Sequence, residues 1–283
     1  MTNYISAKNL SKSFGKFNAL RGVDISIKKG QIVGLIGSNG AGKTTLINAI
    51  LGLSTYEGEL DVLGLDPQSQ RDQLMKEVCF ISDVATLPGW IKVNEAVQYV
   101  EGVHPNFNRS KALGFLNQTS IPMDKKVGKL SKGMVVQLHL ALIMAIDAKI
   151  LVLDEPTLGL DILYRKKFYD QLLEDYFDEE RTIVITTHQV DEVENILTDV
   201  IFIRDGEIMY DASMEETLNT WKTLEPNPDR INEARALGPY REMVSLGRTS
   251  FIFKGSDKTT LREFGEVRRL SLSDLFVTLM TGE

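Results

Sequence analysis

Short apolar runs alternate along the chain with longer stretches in which apolar and polar residues are mixed. Ile32-Val33-Gly34-Leu35-Ile36, Val78-Cys79-Phe80-Ile81-Ser82, Lys149-Ile150-Leu151-Val152-Leu153, Thr182-Ile183-Val184-Ile185-Thr186-Thr187 and Val200-Ile201-Phe202-Ile203 show no polar alternation. Runs of this length predict strands buried on both faces, as in a parallel sheet covered by helices. Between them the pattern predicts helices. Leu46-Ile47-Asn48-Ala49-Ile50-Leu51 follows the first run, Ser131 caps a long apolar helix through Ala148, Ile162 to Asp178 is amphipathic, and Val190 to Leu197 is helical. Alternating strands and helices argue a doubly wound α/β core. Residues 4–35 read as short strands with a turn at Lys28-Lys29-Gly30, and Glu59 to Gly64 as another strand and turn. Residues 94–120 change character and predict a small helical insertion.

The pattern weakens near Glu225-Pro226-Asn227-Pro228-Asp229, where closely spaced prolines predict a linker. Beyond it, Ser250-Phe251-Ile252-Phe253 reads as a strand, and Ser271-Leu272-Ser273-Asp274 as a capping box before a helix from Leu275 to Met280. This tail has too few apolar residues for a large core, so it is expected to pack on the main domain or on a second copy.

The most specific chemistry lies between the first strand and the first helix. Gly37-Ser38-Asn39-Gly40-Ala41-Gly42-Lys43-Thr44-Thr45 follows the pattern G-x-x-x-x-G-K-[ST] in a strand–loop–helix context. The glycines let the backbone approach a ligand closely, and its N–H groups then converge on phosphate oxygens. The helix start adds a partial positive charge, Lys43 a full one, and the Thr44 hydroxyl suits Mg²⁺. Ligands of doubly wound sheets bind at the carboxyl ends of the strands. There also stand Asp154-Glu155, after the third run, and His188, after the fourth. Adjacent residues at a strand end point different ways. Asp154 is therefore assigned to Mg²⁺, and Glu155 to activating the water that attacks the γ-phosphate. His188 is assigned to holding that water and the phosphate. His104 and His139 receive no role, and no His/Cys cluster has metal-ligand spacing.

Composition narrows the setting. The chain has 283 residues, a formal net charge of −7 and a pI of about 5.2, which disfavours nucleic acid or an anionic membrane as a bulk electrostatic partner. The single cysteine, Cys79, cannot form an internal disulfide, which suits a reducing, cytoplasmic setting. The first residues lack signal-peptide anatomy, and no apolar run approaches the roughly 20 residues of a spanning helix. A membrane role would come through a partner.

These motifs, in their order, resemble the ATP-binding subunits of ABC transporters over roughly residues 3–215. Gly37 to Thr45 is similar to the Walker A loop, Leu130-Ser131-Lys132-Gly133-Met134 to the signature sequence, and Ile150 to Glu155 to Walker B. Gly159-Leu160-Asp161 is similar to the D-loop and His188 to the switch histidine. Phe14-Gly15-Lys16-Phe17-Asn18-Ala19-Leu20 resembles the segment that places an aromatic ring on adenine, with Phe14 as the stacking residue. The resemblance implies an α/β P-loop NTPase of the ABC type. It would comprise an ATPase domain over residues 3–221 with an N-terminal β-subdomain, a helical subdomain at about 84–148, and a small C-terminal α+β region over 222–283.

It further implies that Ser131 and Gly133, at a helix start, contact the ATP bound by a second subunit, so that two chains enclose two Mg-ATP head to tail. Three positions depart from the family pattern. Lys132 and Met134 replace the usual Gly and Gln, and Asp83 stands where a glutamine usually reaches Mg²⁺ and the permease. The expected function is ATP hydrolysis powering a separate permease, with the Leu272-Ser273-Asp274-Leu275-Phe276 tail favouring an exporter. The expected place is the inner face of the cell membrane, held by that permease. The alternatives are a soluble ATPase that remodels a cytoplasmic complex and a nucleotide-gated clamp with little turnover.

Overall fold

The computed structural model describes residues 2–81, 87–158, 162–245 and 247–281, apart from the side chains of Tyr164, Asp175 and Ser245. Asp83 and the Gly159-Leu160-Asp161 segment lie outside the described residues. In chain order the strands are β1 (Asn3–Phe14), β2 (Phe17–Lys28), β3 (Ile32–Ile36), β4 (Glu57–Val62), β5 (Val78–Ile81), β6 (Ile150–Asp154), β7 (Thr182–Thr187), β8 (Asp199–Arg204), β9 (Glu207–Ser213), β10 (Trp221–Pro226), β11 (Arg241–Ser245), β12 (Arg248–Lys254) and β13 (Gly265–Arg269). The helices are α1 (Lys43–Ile50), α2 (Arg71–Leu74), α3 (Val93–Val103), α4 (Arg109–Asn117), α5 (Lys132–Met144), α6 (Ile162–Gln171), α7 (Val190–Val193), α8 (Met214–Thr220), α9 (Ile231–Ala236), α10 (Lys258–Arg262) and α11 (Leu272–Thr281).

The uninterrupted apolar runs form the centre. They make a six-stranded sheet in the order β5-β6-β7-β3-β8-β9, parallel except for β9. Alternate residues of each strand enter different cores. Ile32, Ile36, Leu151, Leu153, Ile183, Ile185, Val200 and Phe202 face the cluster built with α5, α6 and α11. Val33, Leu35, Ile150, Val152, Val184, Ile201 and Ile203 face the cluster built with α1 and the antiparallel β2-β1-β4 sheet. Coverage on both sides explains the absence of polar alternation in these runs. The N-terminal strands are longer than expected, at twelve residues each for β1 and β2. Register shifts along their pairing break the period-2 pattern that would have revealed their length.

Helices α3, α4 and α5 enclose a third core that includes Val93, Val97, Leu116, Leu138 and Leu142. The amphipathic run after Ile162 is α-helical only to Gln171 and continues as a π-helix to Tyr176.

The expected linker at Glu225–Asp229 is not one. Trp221–Pro226 is an inner strand of a four-stranded antiparallel sheet, β11-β12-β10-β13. Pro226 is tolerated because pairing with β12 ends at Leu224, leaving Pro226 opposite only Gly265 of β13. This C-terminal unit has a small core of Leu224, Ala234, Phe251, Phe253 and Leu261. It also packs Trp221, Ile252, Leu270, Leu272 and Leu275 into the main cluster, as its scarcity of apolar residues predicts.

Candidate active site

The strand order places β7 between β6 and β3, with Ile36 paired to Thr187 and Asp154 to Thr186. The residues that follow these strands, Gly37, Glu155 and His188, therefore share one edge of the sheet. From Gly37 the chain turns through the glycine-rich loop into α1. Gly42, at φ +112, precedes the first helical residue, and a Cβ there would lie 2.8 Å from the Ala19 carbonyl oxygen. Gly40, at φ +83, has open space around it. Only glycine accepts both conformations at little cost. Behind the loop, a Cβ on Gly37 would lie 2.6 Å from the Ile203 carbonyl oxygen, so β8 packs directly against it.

Lys43 is only 7% exposed, and its ammonium donates to the carbonyls of Gly37 at 2.6 Å and Ser38 at 3.1 Å. Burial lowers its affinity for the proton, and the Glu155 and Asp154 carboxylates oppose that effect. Asp154 is buried, and one of its oxygens accepts the Thr186 hydroxyl. Glu155 takes a left-handed backbone conformation, φ +50, which costs a residue with a side chain roughly 1–3 kcal/mol. Its N–H is fixed by the Thr186 carbonyl at 3.1 Å. The result separates the two acids: Asp154, buried at the base of the cleft, is held by the Thr186 hydroxyl, while the Glu155 carboxylate meets His188. The His188 Nδ1 lies 2.9 Å from Oε1 and 2.8 Å from Oε2 of Glu155. An ionised carboxylate only accepts, so Nδ1 carries the proton and Nε2 is left for another partner.

A cleft of about 350 Å³ opens over these groups, lined by Phe17, Ala19, Asn39, Gly40, Gly42, Lys43, Thr44, Thr45, Asp154 and Glu155. Ala41 is buried beneath the loop, with its carbonyl accepting the Gly206 N–H at 2.9 Å. The aromatic residue at the cleft is Phe17, not Phe14. The two face each other across the β1–β2 turn, both exposed, and the Lys12 ammonium lies 5.1 Å from the Phe14 ring centre. The resemblance in sequence singles out Phe14; the pairing of Phe14 with Phe17 across the hairpin puts Phe17, not Phe14, among the residues lining the cleft.

Ser131 and Gly133 do not line this cleft. Ser131 caps α5, its hydroxyl accepting the Met134 N–H at 3.3 Å, and is exposed. Gly133 borders a separate cavity of about 370 Å³ between α4, α5 and α6. His139 and His104, given no role above, both line an apolar groove of about 430 Å³ with Leu87, Val100, Val103 and Ile143. Burial holds the proton affinity of both rings below the usual histidine value.

Among the described residues, no three His, Cys, Asp or Glu side chains cluster as metal ligands, and no helix is long and apolar enough to cross a membrane. Residues 20–158 match the family described as ABC transporter. The SkfA peptide export ATP-binding protein SkfE of Bacillus subtilis (strain 168) is 32% identical over 73% of this chain and 88% of its own length. The sulfate/thiosulfate import ATP-binding protein CysA of Methylococcus capsulatus is 30% identical over 75% of this chain and 64% of its own length. A solved structure of an ATP binding subunit of an ABC transporter superposes with a TM-score of 0.67 at 22% identity, covering 76% of this chain and 91% of that one. With a glycine-rich loop, the Asp154–Glu155 pair and His188 gathered at one edge of the sheet of that fold, the chain belongs to the ATP-binding subunits of ABC transporters, ATPases coupled to transport.

Proposed function

We propose that this chain hydrolyses Mg-ATP in a head-to-tail pair with a second copy, and so drives a separate membrane permease in the export direction. The observation that carries this reading is an asymmetry. One edge of the sheet gathers the phosphate loop, Lys43, Asp154 and the Glu155–His188 pair, while the exposed helix start at Ser131 and Gly133 lies away from that cleft. A triphosphate on the loop would be enclosed on one side only, and Ser131 and Gly133 of another copy would supply the missing wall.

Ser38 to Gly42 would cradle the β- and γ-phosphates with backbone N–H groups, and Lys43 would exchange its two carbonyl partners for phosphate oxygens. Thr44, Thr45 and Phe17 border the same cleft, the ring of Phe17 offering a face to the adenine. The donor set fits Mg²⁺. Thr44 and Asp154 offer one hydroxyl and one buried carboxylate beside the phosphate site, and this ion takes few protein ligands alongside phosphate and water. When bound it neutralises charge on the phosphate oxygens. Asp83 is proposed as a further ligand near it. Glu155 takes a proton from the attacking water, and His188, anchored through Nδ1, holds the carboxylate in place. The apolar groove along Leu87, Val100, Val103 and His139 is the proposed seat of a permease helix. Val103 stands exposed at its rim, and residues 82–86, next in sequence to Leu87, contain the Asp83 position. Through that contact the subunit would sit on the inner face of the cell membrane. Export is supported by the SkfE likeness and the Leu272–Phe276 tail.

Purified protein is expected to release phosphate from ATP in a Mg²⁺-dependent way, and Lys43→Ala is expected to weaken nucleotide binding strongly. Phosphate release that persists in Glu155→Gln at the wild-type rate would refute the assignment of the water-activating group. Affinity capture from detergent-solubilised membranes should recover a permease, and Val103→Asp should reduce that recovery. Equal recovery would refute the groove as its seat.

A further inference from the structure

Helix α11 of the C-terminal unit is held at both ends by side chains of the ATPase core. At its start, the N–H of Leu272 donates to the Glu194 carboxylate at 3.2 Å. At its end, the Arg204 guanidinium donates to the carbonyls of Met280 at 3.0 Å and Leu279 at 3.5 Å. A carboxylate at a helix N-terminus and a cation at its C-terminus both complement the helix dipole. Between these anchors, Leu272 and Leu275 are buried with Val190 and Val193 of α7, and the Phe276 ring meets Phe202 of β8 edge to face at 5.2 Å.

Both anchors connect through the chain to the hydrolytic site. Glu194 follows α7, which begins two residues after His188. The other side of that segment is tied down by Arg165, which bonds both Gln189 and Glu192, while Glu192 also accepts the Thr157 hydroxyl at 3.2 Å. Arg204 begins the β8–β9 turn. In that turn the Gly206 N–H donates to the Ala41 carbonyl of the phosphate loop at 2.9 Å, and the Gly206 carbonyl accepts the Arg21 N–H at 2.9 Å. A Cβ on Gly206 would lie 2.7 Å from the Ala19 carbonyl oxygen, so this turn has no slack against the loop's surroundings.

We propose that α11 is a strut of the hydrolytic site, with Glu194 and Arg204 as positioning residues. One end fixes the His188 segment, and the other fixes the turn behind the phosphate loop. The C-terminal unit thereby sets turnover although none of its described residues lines the nucleotide cleft. This rests on the hydrolytic reading above, because positioning His188 matters only if His188 serves turnover.

The test uses the full chain and compares Glu194→Ala, Glu194→Gln and Arg204→Ala by ATP turnover and by the imidazole C–H signals in a ¹H–¹³C spectrum. Three histidines make those signals assignable by substitution. Glu194→Ala is expected to lower kcat roughly tenfold while KM for ATP changes less than about twofold, as a misplaced group far from binding contacts would. It should also move the His188 signal and leave those of His104 and His139 in place. Glu194→Gln, whose amide oxygen still accepts from Leu272, should restore both. Arg204→Ala should weaken ATP binding about threefold by loosening the turn behind the loop. An unmoved His188 signal in Glu194→Ala overturns the strut, whether or not kcat falls. A wild-type chain that turns over no ATP overturns the hydrolytic reading instead, and the histidine spectrum still decides whether α11 positions His188.

Discussion

The starts of α1 and α5 are built differently. The start of α1 has no side-chain cap. It is preceded by glycines in left-handed conformations, backed by a buried lysine, and flanked by Asp154 and Glu155. The start of α5 is capped by the Ser131 hydroxyl, lies exposed, and has open space around Gly133. Both offer backbone N–H groups that the helix cannot satisfy internally. Each start carries a lysine as its first helical residue, Lys43 buried and Lys132 exposed, but only the first stands beside a carboxylate–imidazole pair, Glu155 and His188. In the proposed pair, the second completes a site on another copy.

The comparison can be broken at either helix start. The largest effect is expected at the first. Glu155→Gln should lower turnover by about 10²–10⁴-fold in steady-state phosphate release while ATP still binds, because it removes the base and leaves the loop intact. Lys43→Ala should weaken ATP binding on the order of 100-fold in calorimetry, since it removes a charge-assisted contact from a buried position. At the second start, Gly133→Asp should leave ATP binding to the isolated chain unchanged and reduce turnover about tenfold or more, because a carboxylate would face the partner's phosphates. Weakened ATP binding in that variant would mean that α5 contacts the chain's own nucleotide. The smallest effect sharpens the floor of the first site. Phe17→Ala should weaken ATP binding about two- to tenfold and Phe14→Ala should not, which a fluorescent nucleotide titration would resolve. The reverse order would return the adenine to Phe14.

The two starts also differ in how far the sequence revealed them. The phosphate loop was legible because its chemistry needs specific residue types at fixed spacing, and the buried strands around it were legible because both faces of the sheet are covered. The separate directions of Asp154 and Glu155 followed from strand geometry, and the structure shows the buried Thr186 contact and the His188 pair that produce them. Thr186 itself carried no signal, since a threonine in a buried strand reads as a strand former. Pro226 misled, because a proline at the end of a strand that has lost one neighbour looks the same in sequence as a proline in a linker. The anchoring of α11 was invisible as well. Its partners, Glu194 and Arg204, lie 78 and 76 positions from the atoms they bind at Leu272 and Met280, and no local pattern records such pairs.

The central claim is that each hydrolytic site is completed by a second copy. Light scattering on Glu155→Gln, with and without Mg-ATP, tests it most directly. The account predicts a monomer without nucleotide and a dimer of twice the mass with Mg-ATP, lost again when Gly133→Asp is added. A particle that stays monomeric under saturating Mg-ATP would contradict it.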